Sequence, residues 1–121
     1  MTKKLWGARF KSDLHETAKR FTYSLGVDFE LLSADIKVSM AHVLMLGRSG
    51  INSQRDSKTL VRGLWRVLAR LKKKPVCNLI DDYEDVHSLI QSELEKEAGK
   101  LARKLHTGRS RNDLVATSTR V

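Results

Sequence analysis

The stretch SQRDSKTLVRGLWRVLARLKKKP, residues 53–75, decides the fold class. Its apolar residues Leu60, Val61, Leu64, Val67, Leu68 and Leu71 recur three and four positions apart, so they form one stripe along a helix. Ser53 to Asp56 has capping-box form with Asp in place of Glu. Lys72, Lys73 and Lys74 complement the negative end of the helix dipole, and Pro75 cannot continue the hydrogen-bond ladder. The pattern predicts a helix over about 54–73 that buries one side and wets the other.

Upstream, Asp28 is a good N-cap type. After it Leu31, Leu32, Ile36, Ser39, Met40, Val43 and Leu44 recur at helical spacing until Gly47 or Gly50 offers a stop. Downstream, 75–81 reads as a loop. Asp82-Tyr83-Glu84-Asp85 then supplies the acidic first turn of a third helix with Val86, Leu89, Ile90, Leu94 and Leu101 inward, its last turns weakened by Gly99. Leu105 to Asp113 is polar and contains Gly108, and Ser110 and Asp113 are placed to cap a helix beginning near Arg111. That fourth helix meets no stop signal before Val121, as if the chain were cut inside an element. Residues 1–24 show no sustained period and read as an irregular arm with one short helix. Neither alternation nor hairpin signals argue for a sheet, so the expected fold class is all-α, a small helical domain with an irregular N-terminal arm.

With 121 residues, 40% hydrophobic and 31% charged, the chain has globular composition and fits one small domain. No stretch approaches the roughly 18 apolar residues of a membrane span, so a soluble, cytoplasmic protein is expected. Cys77 is the only cysteine, which excludes an internal disulfide and a thiolate metal cluster and reads as a reduced structural thiol. Lys and Arg number 23 against 14 Asp and Glu, a net charge of +9 that attracts anionic partners without choosing among them. The basic residues are spread along the chain and the aromatics are few and scattered, so a nucleic-acid partner is not expected. No glycine-rich phosphate loop occurs, and no nucleotide cofactor is expected.

Two stretches could carry chemistry. His106 to Asp113 crowds two arginines, two hydroxyls, an Asn and an Asp around a glycine before a helix start. Amides there, with Arg109 and Arg111, would suit a carboxylate or phosphate, although a well-capped surface turn has the same composition. Glu84-Asp85-Val86-His87 places a carboxylate and an imidazole two residues apart. This could be an acid/base pair, half of a metal site, or a dipole-capping Asp beside a partly exposed His. Positions two apart on a helix diverge, which argues against a metal. His15 and His42 have weaker cases, and His42 most simply lies on a helix flank.

Taken together, Lys4 to Phe10 (KLWGARF) and Leu105 to Asp113 (LHTGRSRND) resemble two signatures of the argininosuccinate lyases. Ser24, Asp28, Asp35 and Glu84-Asp85-Val86-His87 stand between them in that family's order and approximate spacing. The resemblance covers essentially the whole chain. It implies the N-terminal helical domain (1–109) of an aspartase/fumarase-type lyase and the truncated start of its central-domain helix (110–121). The implied parent is a cofactor-free homotetramer with active sites shared among subunits, in arginine biosynthesis, that cleaves argininosuccinate reversibly into arginine and fumarate by β-elimination. No metal is implied.

The resemblance implies that Ser24 and Asn112 bind substrate, with Ser110 and Arg111 in the same turn. Asp28 and Asp85 lie near the substrate's arginine-like portion, and His87 lies close to the site. The family's catalytic histidine and mobile Gly-Ser-Ser loop serine lie well beyond residue 121, so the chain is expected to hold no catalytic residue and no lyase activity. Ala8, Leu114 and Ser118 depart from the family's usual Gly, Gln and Asp. The runner-up reading is a non-catalytic helical binding protein, either a recruited lyase relative or a polyanion binder.

Overall fold

The computed structural model describes residues 13–121, and the Lys4–Phe10 signature lies outside them. Six α-helices follow in order: α1 (Glu16–Thr22), α2 (Leu25–Asp28), α3 (Leu32–Arg48), α4 (Gln54–Leu71), α5 (Val86–Ala98) and α6 (Arg111–Ser118). Short 3-10 turns span Phe29–Leu31, Val76–Asn78 and Gly99–His106. No strand occurs among the described residues, which form a small all-α domain.

The apolar stripe of α4 forms the middle of the core. Leu60, Leu64, Val67, Leu68 and Leu71 are buried against Ile36, Met40 and Val43 of α3 and against Leu89, Ile90 and Leu94 of α5. Each fully buried leucine contributes roughly 1.5–3 kcal/mol by leaving water, and the three-helix sheaf rests on this sum. Ser53 caps α4 by accepting from the Asp56 amide at 3.0 Å. The expected reciprocal arm of the capping box is not made by Asp56, whose carboxylate pairs instead with Lys104 at 2.6 Å.

Several helix ends differ from those expected. Asp28 does not cap α3, because its carboxylate accepts the Ser24 hydroxyl, and the backbone is already helical from Leu25. Leu44 faces solvent, and Leu46 and Gly47 continue the buried stripe in its place. Asp82 to Glu84 precede α5, which starts at Val86 with Asp85 as its N-cap. Gly99 does more than weaken the end of α5: at φ +56° it redirects the chain into the following 3-10 segment. The last helix ends at Ser118, and the Thr119 and Arg120 amides close back onto Val115 and Thr117.

α3 and α4 form a hairpin whose turn depends on two glycines. Gly50 takes φ +77°, which a side chain disfavours. Gly47 lets the helices touch: a Cβ there would stand 2.6 Å from Ser57 Oγ and 2.9 Å from Ser57 Cβ. Rotating the hydroxyl relieves only the first clash. Gly47→Ala should therefore cost about 1–2 kcal/mol, overpacking outweighing the better helix propensity of Ala. A lowered urea midpoint with an unchanged slope would show it, and a gain in stability would contradict this close approach.

Candidate functional site

The site is assembled by three segments that are distant in sequence, around Ser24, Asp85 and Arg111. Asp85 anchors it. As N-cap of α5 its Oδ1 accepts from the Ser88 amide and hydroxyl, both at 2.7 Å. Its Oδ2 accepts from Arg111 Nη1 at 2.6 Å, and Arg111 Nη2 donates to Ser88 Oγ at 3.3 Å. One carboxylate thus starts one helix and fixes the first residue of another. The residue before it, Glu84, accepts the Ser24 amide on its carbonyl at 2.8 Å, and the Ser24 hydroxyl reaches Asp28. Ser24, Asp28, Asp85 and Arg111 therefore belong to one connected set.

The turn into α6 is capped from both directions. Ser110 Oγ accepts from the Asn112 amide at 3.2 Å, and the Asp113 carboxylate accepts the Ser110 amide at 2.6 Å. Asn112 is exposed on this first helical turn, and the Arg111 side chain is 40% exposed beside it. The 106–113 stretch is thus a well-capped turn, with Asn112 and part of Arg111 left exposed.

His87 corrects an expectation. It is buried rather than partly exposed, and its Nδ1 lies 2.9 Å from Asp35 Oδ2. Burial alone would depress its pKa, but the Asp35 hydrogen bond and charge, aided by Asp85, outweigh it and raise the imidazole above its usual value. His87 therefore pairs with Asp35 inside the fold. Asp35 also accepts from Ser118 Oγ at 3.4 Å, tying α3, α5 and α6 together. Leu114 is 1% exposed, so the departure from Gln points into packing.

Arg109, expected beside Arg111 as an anion donor, turns inward instead, and its neighbours Ser39, His106 and His42 escaped the sequence reading of the site. Arg109 Nη2 donates to Ser39 Oγ at 3.0 Å and to His106 Nδ1 at 3.1 Å, under the exposed turn. Burial first, and the Arg109 charge second, push His106 down to a pKa of about 4, so it is neutral with its proton on Nε2. Arg109 Nε and Nη1 are buried with no acceptor among the described residues. Their signal in the sequence is that Asp35 and Ser39 occupy inward positions of an otherwise apolar stripe. His42, read as a flank residue, instead holds the turn from α3 through Nε2 at 2.8 Å from the Thr107 carbonyl. His15 caps α1 by accepting from the Thr17 amide at 3.3 Å. Cys77 is exposed.

Chemically, the exposed part offers a guanidinium held in place by Asp85 and Ser88, the Asn112 amide side chain and, half-buried, Asp28. Groups of this kind have the chemistry to meet a carboxylate at Arg111 and Asn112, whereas Asp85 is buried and already paired with Arg111 and Ser88. Among the described residues no three His, Cys, Asp or Glu side chains group as metal ligands would. No helix there is long and apolar enough to cross a membrane.

Compared with known proteins, the chain is 38% identical over 118 residues to the argininosuccinate lyase of Lachnospira eligens, covering 98% of the chain and 26% of that protein. It is 44% identical over 119 residues to that of a Sulfurihydrogenibium species, again 98% of the chain and 26% of the relative. The Clostridium kluyveri argininosuccinate lyase matches at 41% over 118 residues, with 27% of its length covered. No protein-family model matches the chain. The chain spans about a quarter of the length of the curated relatives it matches.

Proposed function

The chain is homologous along nearly its whole length to argininosuccinate lyases and fits their N-terminal part, and on that premise we propose that it carries one wall of a lyase substrate site. The observation that supports this reading most is the Asp85–Arg111 ion pair at 2.6 Å, which joins the start of α5 to the capped turn of α6 beside Ser24. In this reading Ser24, Ser110, Arg111 and Asn112 hold the carboxylates of argininosuccinate, and Asp28 and Asp85 face its guanidinium. His87 supports the wall from within. Residues 1–109 form the N-terminal helical domain, and residues from 110 open the central-domain helix of a homotetramer in which other segments complete the pocket.

The whole protein, in this proposal, eliminates fumarate from argininosuccinate and releases arginine, without a cofactor. An abstracted proton leaves enediolate charge on the substrate carboxylate, which Arg111 and the Asn112 side chain stabilise. The chain supplies binding and charge stabilisation but no base, so alone it is inactive.

The test is titration of argininosuccinate into the purified 121-residue chain, followed by amide NMR and by ultraviolet absorbance of fumarate. Shifts should concentrate at Ser24, Asn112 and their neighbours, with weak, saturable binding and no fumarate. Arg111→Ala should weaken that binding by about ten- to a hundredfold, the loss of charge-assisted hydrogen bonds. Shifts confined to other faces would remove the proposed wall, and fumarate release would overturn inactivity.

A further inference from the structure

The basic residues look dispersed in the sequence because a helix face is read only once in three or four positions. On α4 the structure collects them. Arg55, Lys58, Arg62 and Arg66 are all exposed on the side opposite the buried stripe, and Lys72, Lys73 and Lys74 extend the row past the helix end. Trp65 lies within the row and is 57% exposed. Acidic neighbours are few. Asp56 is engaged by Lys104, and Glu97 sits 2.5 Å from Arg70 and 3.6 Å from Arg66, whose side chain stays 72% exposed. Among the described residues no ion pair is formed by Arg55, Lys58, Arg62 or the three lysines.

A helix of 18 residues is rigid and about 27 Å long, so these cations form a straight track. A track suits a linear polyanion. An anionic membrane is the poorer match, because a helix that lies in a membrane surface inserts its apolar side, and the apolar side of α4 is spent in the core. That leaves Trp65 as the one large apolar group of the α4 track. A flat aromatic set between cations is what an unpaired base stacks on while its neighbouring phosphates meet Arg and Lys.

We propose that the outer face of α4 binds single-stranded nucleic acid, with Trp65 as the stacking platform and Arg55, Lys58, Arg62 and Arg66 as phosphate contacts. This surface uses none of the residues assigned to the substrate wall, so the proposal is independent of the substrate reading.

Fluorescence of the 121-residue chain should be quenched by an unstructured uridine homopolymer, and Trp65→Phe, with Trp6 intact, should remove most of that quenching. Affinity should fall roughly fiftyfold from 50 to 200 mM salt, as about four phosphate contacts at a slope near 0.7 each require. The double reversal R62E/R66E should weaken binding at least tenfold, and Trp65→Ala about fivefold or more by loss of stacking. Both sites are solvent-exposed, and unchanged circular dichroism would show that these variants fold. Binding unaltered in R62E/R66E, no binding at 50 mM salt, or tighter association with phosphatidylserine vesicles than with the oligonucleotide would each overturn the proposal.

Discussion

Replacing Asp35 with alanine is expected to lower the unfolding free energy by about 3–5 kcal/mol at mildly acidic pH, the cost of leaving a buried cation without its partner. Asp35 is 1% exposed and receives His87 Nδ1 at 2.9 Å and Ser118 Oγ at 3.4 Å. It is also the nearby negative charge for Arg109 and His106. Without it, His87 can only surrender its proton. The sign follows from the raised His87 value. A histidine held above its unfolded pKa stabilises the fold fully below that pKa and stops doing so as pH rises through the folded one. The penalty of Asp35→Ala should therefore be largest near pH 5 and shrink in alkaline buffer. Urea unfolding at both pH values measures it, and the His87 resonance in the variant should titrate lower than in the native chain. A loss under 1 kcal/mol at pH 5 would mean that the pair contributes no net stability.

How much of this was legible beforehand depends on how local each partner is. The α4 stripe was readable because helix period, N-cap and Pro75 all lie within one stretch, and tertiary contacts did not override them. The Ser110–Asp113 capping box was readable for the same reason, its partners being three residues apart. Asp28 was misassigned because a cap-type residue can be captured by another hydroxyl, and Ser24 was one turn away. Leu44 continues the helical spacing of Met40 and Val43 and so reads as inward, yet it is 46% exposed. The packing surface instead turned through Gly47, where the absence of a side chain admits Ser57.

His87 shows the limit of spacing rules most clearly. The sequence says correctly that Asp85 and His87 diverge, since one meets Arg111 and the other Asp35. Which helix receives the imidazole is a matter of chain path, and the partner lies 52 residues away. The connected set Ser24–Glu84–Asp85–Arg111 could be anticipated only through family resemblance. The α4 track needed no resemblance: its residues were all visible, and helical projection alone turns a diffuse charge into a face.

Acid should attack this domain through His106, and by a comparable amount. Its imidazole is held neutral by burial and by Arg109, with a folded pKa of about 4 against 6.5 for the free group. Below 6.5 the unfolded chain takes up a proton that the folded chain refuses. Stability is therefore complete above 6.5 and declines as pH falls towards 4, at about 1.4 kcal/mol per pH unit and about 3 kcal/mol in all. His87 runs the opposite way, so the native chain alone displays only the difference. Comparison with His106→Gln isolates the effect, because the glutamine oxygen can still accept from Arg109 but does not titrate. The variant should match the native chain at pH 7 and exceed it by a margin that widens to about 3 kcal/mol near pH 4. Parallel curves would place the acid-sensitive group elsewhere. Protonation at His106 would set a cation against Arg109, the residue that leads into Ser110, Arg111 and Asn112, so ligand binding at the exposed turn should weaken over the same pH range, and in His106→Gln it should not.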